Sequence, residues 1–106
     1  MALLHVIQFF VGAVTTTGSP GTLAYTVPAG DRIVLRDFTF RNLSSSASYS
    51  LLVYIDSTLI YSYTLATSES HEWKPWIVMS PGQKLYLRVG NSTGVDVVVS
   101  GSLYTI

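Results

Sequence analysis

At 106 residues with no cysteine, the chain is long enough for one domain and cannot be held by disulfides or a thiolate metal centre. Six Lys/Arg balance six Asp/Glu, and charged residues make up only 11% of the chain, against roughly 25% in soluble domains. With no run of either sign, that balance argues against the basic footprint of a nucleic-acid binder and the basic amphipathic helix of a membrane-surface protein.

Ser, Thr, Tyr and Gly stand where charges usually stand. Such a surface is weakly hydrated and suits permanent contact with another protein, although a monomer with a neutral hydroxyl coat would read the same way. The elements begin with "ALLHVIQFFVGAV" at 2–14. It is too short to span a bilayer and has no positive region before it, so it is expected to belong to the fold rather than to a signal peptide. Leu3, Leu4, Ile7, Phe10, Val11 and Val14 would fit a helix face, but the β-branched and aromatic content predicts a strand over 3–14.

"GSPG" at 18–21 is a turn, and "TLAYTV" at 22–27 alternates Leu23, Tyr25 and Val27 on one face. "DRIVLRDFTFRN" at 31–42 changes phase, with Ile33 and Leu35 on one face and Phe38 and Phe40 on the other. Either both faces are buried or a bulge falls near Arg36 and Asp37. A serine-rich loop at 44–48 leads into "YSLLVYID", the tight turn "DST" at 56–58 and the return "LIYSYTL". This hairpin is expected to place Tyr61 and Tyr63 with Leu59 and Leu65, and to leave Leu52 and Tyr54 on a face that a neighbour can bury.

"HEWKPWIVM" at 71–79 is extended, but Pro75 removes a ladder donor and makes it an edge or a broken strand. "QKLYLRV" at 83–89, a turn at 90–94 and "VDVVVSGSLYTI" complete the chain, with a bulge expected at Gly101. About eight short strands at turn spacings of 8–12 residues predict one all-β domain over 1–106, an antiparallel β-sandwich of jelly-roll or Greek-key type.

One phrase is written twice, "PAGDRIVLR" at 28–36 and "SPGQKLYLR" at 80–88. Each is a turn whose glycine permits positive φ, followed by a strand that sends alternate apolar residues inward and ends on arginine, Arg36 or Arg88. Two strands needing the same turn chemistry would explain it, as would pseudo-symmetry between two halves of a sandwich.

No catalytic signature appears. The histidines, His5 and His71, stand apart from any nucleophile elbow, and no phosphate-binding glycine loop or calcium-loop spacing is present. Glu69 and His71 would share a strand face, yet two ligands from one segment make a weak metal site. No enzyme, metal or cofactor is expected. "NLS" at 42–44 and "NST" at 91–93 match the glycosylation sequon and are read as loop residues. Trp73 and Trp76 concentrate contact-type side chains. They would plug the sandwich, anchor a subunit interface, or form a sugar platform with His71 and Glu72.

"YTVPAGDRIVLRDFTFRNLSSSASYSLLVYID" and "MSPGQKLYLRVGNSTGVDVVVSG" resemble small β-sandwich virion proteins of tailed bacteriophages. The resemblance covers about residues 22–103 and rests on Tyr25 to Gly30, Asn42 to Ser48, Ser80 to Gly82 and Val97 to Gly101. It implies a structural protein that decorates a capsid or sits on a tail as a homo-oligomer, with the major capsid or tail protein as partner. Assembly would take place in the host cytoplasm, with no nucleic acid or membrane engaged. A trimer is expected. Phe9, Phe10, Tyr54, Trp73 and Trp76 are the candidate contact anchors, and Arg36, Arg41 and Arg88 their polar partners. The alternative is a receptor- or carbohydrate-binding module using His71, Glu72, Trp73 and Trp76.

Overall fold

The computed structural model describes residues 2–15, 18–90 and 94–105, with side chains from Val6 onward. The predicted turn at 90–94 and the sequon at 91–93 therefore fall largely outside the described residues. Nine strands form among the described residues, with no helix. They are β1 (Ala2–Val14), β2 (Thr22–Thr26), β3 (Asp31–Asn42), β4 (Tyr49–Ile55), β5 (Thr58–Leu65), β6 (Ser70–Trp73), β7 (Ile77–Met79), β8 (Lys84–Val89) and β9 (Val95–Thr105). Period-two alternation drives them. In β8, for example, Leu85, Leu87 and Val89 are buried while Lys84 is exposed and Tyr86 and Arg88 are half-buried.

The strands form two antiparallel sheets. The first runs β1-β9-β3-β6, with β7 also pairing β3, and the second runs β2-β8-β4-β5. Both β6 and β7 pair with β3, at Phe38–Arg41 and Ile33–Leu35 respectively. They are one broken edge strand interrupted around Pro75, as the missing amide predicts. Counted so, the chain has eight strands that wrap from sheet to sheet in jelly-roll order. The inner faces meet in a core that includes Ile33, Leu35, Phe38, Phe40, Leu51, Val53, Leu85 and Leu87, all with no exposed surface.

Ile33, Leu35, Phe38 and Phe40 all point inward because the ladder slips between Leu35 and Asp37. The bulge at Arg36 restores the phase, as expected. Gly101 itself is not bulged. The slips lie on its partners, at Leu35/Asp37 of β3 and Gln8/Phe10 of β1. Two further slips correct the sequence reading. One around Ala24 separates Leu23 from Tyr25, so Leu23 lies 50% exposed while Val27 is buried. One around Ile60 places Leu59 across from Tyr54, away from Tyr61, Tyr63 and Leu65.

The doubled phrase is a doubled corner. Asp31 N donates to Pro28 O at 3.2 Å, and Gln83 N donates to Ser80 O at 3.1 Å. Gly30 and Gly82 take φ of 84° and 85° at the third turn position, where a type II turn requires it. The two corners also bind one another, Val27 N to Gln83 O at 3.0 Å and Gly82 N to Val27 O at 2.9 Å. One corner carries β2 to β3, from the second sheet to the first, and the other carries β7 to β8 in the opposite direction. Since β3 pairs β7 and β8 pairs β2, the corners are related by a local pseudo-two-fold exchange of sheets.

Candidate functional site

The turn at 66–69 carries the chain from β5, the edge of the second sheet, to β6, the edge of the first. Inward-facing side chains of these strands meet across the open side of the sandwich. Tyr61 stacks on Trp73 at 3.9 Å between centroids and Tyr63 on His71 at 3.7 Å, both within 6° of parallel. Trp73 also tilts against Phe38 at 4.8 Å. Each aromatic pair adds about 0.5–1.5 kcal/mol beyond its buried area. Polar tips lock the ladder, with Tyr61 OH and His71 Nε2 2.8 Å apart and Tyr63 OH donating to Glu69 Oε2 at 2.8 Å.

Glu69 also accepts Ala66 N at 2.7 Å. That backbone hydrogen bond, then the Tyr63 hydroxyl, hold its carboxyl below the ordinary range, and the Glu69 bond in turn raises the Tyr63 phenol. A carboxyl whose folded pKa is depressed contributes stability above its unfolded value and loses it as pH falls through the folded one. Melting temperatures of the parent and Glu69→Gln are therefore expected to differ most above about pH 4.3. The difference should close under stronger acid, and a pH-independent difference would remove Glu69 from the linkage.

The four residues of the predicted sugar platform do not assemble. His71 and Trp73 lie under Tyr63 and Tyr61, whereas Glu72 is exposed and pairs with Lys74 at 3.7 Å. Trp76, 65% exposed, sits beyond Pro75 with the Arg36 guanidinium 4.5 Å above its ring. Among the described residues no group of three His, Asp or Glu side chains is placed to hold a metal. Asn42, the first sequon position, is buried and unable to carry a glycan.

The predicted anchors do not converge on one place. Phe9 is buried and packs on Tyr25 at 4.8 Å, because the β1 bulge turns it inward. Phe9 is thus a correction, being a core group. Trp73, half-buried against Tyr61 and Phe38, takes the plugging place that was one of its three expected roles. Phe10 is half-buried along β1. Arg36, Arg41 and Trp76 are exposed on the side of the first sheet, where Arg41 lies in register with Asp96 and Ser70. Tyr54 and Arg88 lie together on the outside of the second sheet, Arg88 Nη1 donating to Tyr54 OH at 3.2 Å.

Around that last pair runs a row that sequence reasoning missed. Leu23 faces Tyr86, Tyr86 faces Tyr54, and Tyr54 faces Leu59, crossing all four strands of the second sheet. Leu23 and Leu59 are 50% and 47% exposed. Leu52 follows Tyr54's phase and lies across from Arg88. The position of Tyr86 was legible from the alternation of β8, but Leu23 and Leu59 reach the row only through bulges. Arg88 Nε is buried with no hydrogen-bond partner among the described residues. The row has the composition of an interface core, with tyrosine, leucine and arginine and no carboxylate. A scan against protein-family models matches none, and a search of curated proteins finds no relative.

Proposed function

We propose that this chain is a structural protein of a tailed bacteriophage virion, a β-sandwich that docks on the capsid shell or tail and stabilises it. The observation that carries this reading is the uncharged row Leu23–Tyr86–Tyr54–Leu59 across the outer face of the second sheet. Arg88 stands beside it to engage an acceptor on the partner. A chain with 11% charged residues and zero formal net charge has little to keep such a face in solution. The turn-and-strand grammar shared with phage accessory proteins supports the same class.

The sugar-platform alternative is less favoured, since Tyr63 and Tyr61 stack on His71 and Trp73 while Glu72 and Trp76 make their contacts elsewhere. The test is mass spectrometry of purified particles of the virus encoding the chain, with the parent or Leu59→Lys. The parent is expected in the particles at a fixed ratio to the major structural protein. Leu59→Lys is expected to fold but to be lost from them at least tenfold. Absence of the parent, or full retention of the variant, would overturn the reading.

A further inference from the structure

Strand β1 is the longest in the molecule at 13 residues, and it ends its sheet, pairing with β9 on one side only. An edge strand offers a row of free backbone donors and acceptors, so soluble proteins guard it with charge, proline or brevity. The other edges are guarded. The β6–β7 edge is short and carries Glu72, Lys74 and Pro75. Strand β2 has five residues with Pro20 before it and Pro28 after it. Strand β5 is tied to β6 across the sandwich, its Tyr61 and Tyr63 stacked on Trp73 and His71. Residues 2–14 contain no charged residue and no proline. Val6 and Val11 on its outer side are 72% and 62% exposed.

We propose that β1 pairs antiparallel with β1 of a second copy about a two-fold axis, joining two first sheets into one continuous sheet. The strand's own pattern selects this occupant. With the axis between Phe9 and Phe10, the two residues that the bulge turns inward together, Gln8 stands opposite the partner's Val11, Val6 opposite the partner's Ala13 and Ile7 opposite the partner's Gly12. Val6, Gln8, Val11 and Ala13 are exposed on the outer side, while Ile7, Phe9 and Phe10 pack against the core. Exposed residues therefore meet exposed ones and core-facing residues meet core-facing ones, and the two-fold axis makes each pair twice. Shifting the register by one residue would set outward side chains against inward ones. Zero formal net charge and an uncharged strand leave no electrostatic barrier between copies. The ladder would supply affinity and the side-chain pairs would set register. This inference does not depend on the docking row, which lies on the other sheet.

A chain without cysteine makes the test direct. Gln8→Cys and Val11→Cys chains are mixed in equal amounts under mild oxidation and run on a non-reducing gel. Residues directly opposite in antiparallel strands have Cα atoms about 4.5–5.5 Å apart, within disulfide reach. The mixture is expected to cross-link at least fivefold more than either chain alone. Light scattering of the cysteine-free parent should give twice the chain mass. Gln8→Lys/Val11→Lys, which sets lysine against lysine at solvent-exposed positions, should give a folded monomer. A parent that stays monomeric, a parent that is trimeric, or equal cross-linking in all three samples would overturn the proposal. Absence of the parent from the particles with the dimer intact would count against the docking reading alone.

Discussion

Gly101→Ala is expected to cost at least about 4 kcal/mol of folding stability. For a domain of this size that is a fall of roughly 20 °C in melting temperature. Gly101 lies in the middle strand of the first sheet, paired with Ile7 on one side and Leu35 on the other. A Cβ there would overlap the Val34 carbonyl oxygen and stand 3.1 Å from Phe9 Cε2. Neither neighbour can withdraw freely, because Val34 belongs to a ladder and Phe9 fills the core beside Tyr25. The partner strands each carry an extra residue at this level and close on the one position that has no side chain. Gly90→Ala is the control. Its Cβ would meet Ser50 at an ordinary 3.6 Å, and its melting temperature should stay within about 3 °C of the parent. If Gly101→Ala melted within the same interval, the close approach would not be a constraint on folding.

Asn42→Ala is expected to cost about 3–4 kcal/mol, seen as a lower denaturation midpoint with an unchanged slope. Asn42 is buried at the end of β3. Its Nδ2 donates to Ala47 O at 2.9 Å, Ala66 O at 3.0 Å and Leu65 O at 3.3 Å. Its Oδ1 accepts Ser44 N at 2.9 Å. One amide thus ties the first sheet to the serine-rich loop and to the crossing that carries the aromatic ladder. Removing it takes the acceptor from the buried Ser44 amide and a donor from the Ala47 and Leu65 carbonyls, while Ala66 O keeps the Glu69 amide; a buried group left unpaired costs about 1–3 kcal/mol. Asn42→Asp should be worse at neutral pH, since a carboxylate would face three carbonyl oxygens. Protonation supplies a donor, so that variant should recover part of the loss as pH falls. A midpoint within 0.5 M urea of the parent's for Asn42→Ala would mean that solvent or neighbouring groups take over these contacts.

Where the ladder is regular, the faces were legible from alternation alone. The inward residues of β4, β8 and β9 are those that period two selects. The phase change in β3 narrowed that strand to two buried faces or a bulge near Arg36 and Asp37, and pairing with β9 decides for the bulge. Errors fall where a bulge leaves no such mark. Leu23, Tyr25 and Val27 look like one face, and only pairing with β8 inserts the extra residue that turns Leu23 outward. Leu59 moves for the same reason opposite Tyr54. A bulge is fixed by the partner strand as much as by its own, so a local window misses it. Phe9 was taken for a contact anchor on this account. The sequence leaves Trp73 undecided between plug, interface and platform for a different reason. Its partner Tyr61 lies on the other sheet, and no spacing along the chain announces that the two edges meet. Asn42 could have been found, since an asparagine two residues before a serine is the start of an Asx turn.

The order of the first sheet bears on when this fold can exist. Strand β9 lies between β1 and β3 and pairs with both along most of their length. During synthesis β1 and β3 leave the ribosome first, with nothing between them. Until residues 95–105 emerge, β1 has no strand to pair with and β3 can pair only with β6 and β7, so the first sheet cannot be completed. Pairing of this kind, between segments far apart in sequence, makes folding slow. Each nascent chain therefore carries an unpaired β1 until β9 emerges, and neighbouring chains on one polysome hold identical strands close together. Slower elongation between the codons for β1 and β9 would lengthen that interval, and chaperone demand in the cell should rise with it.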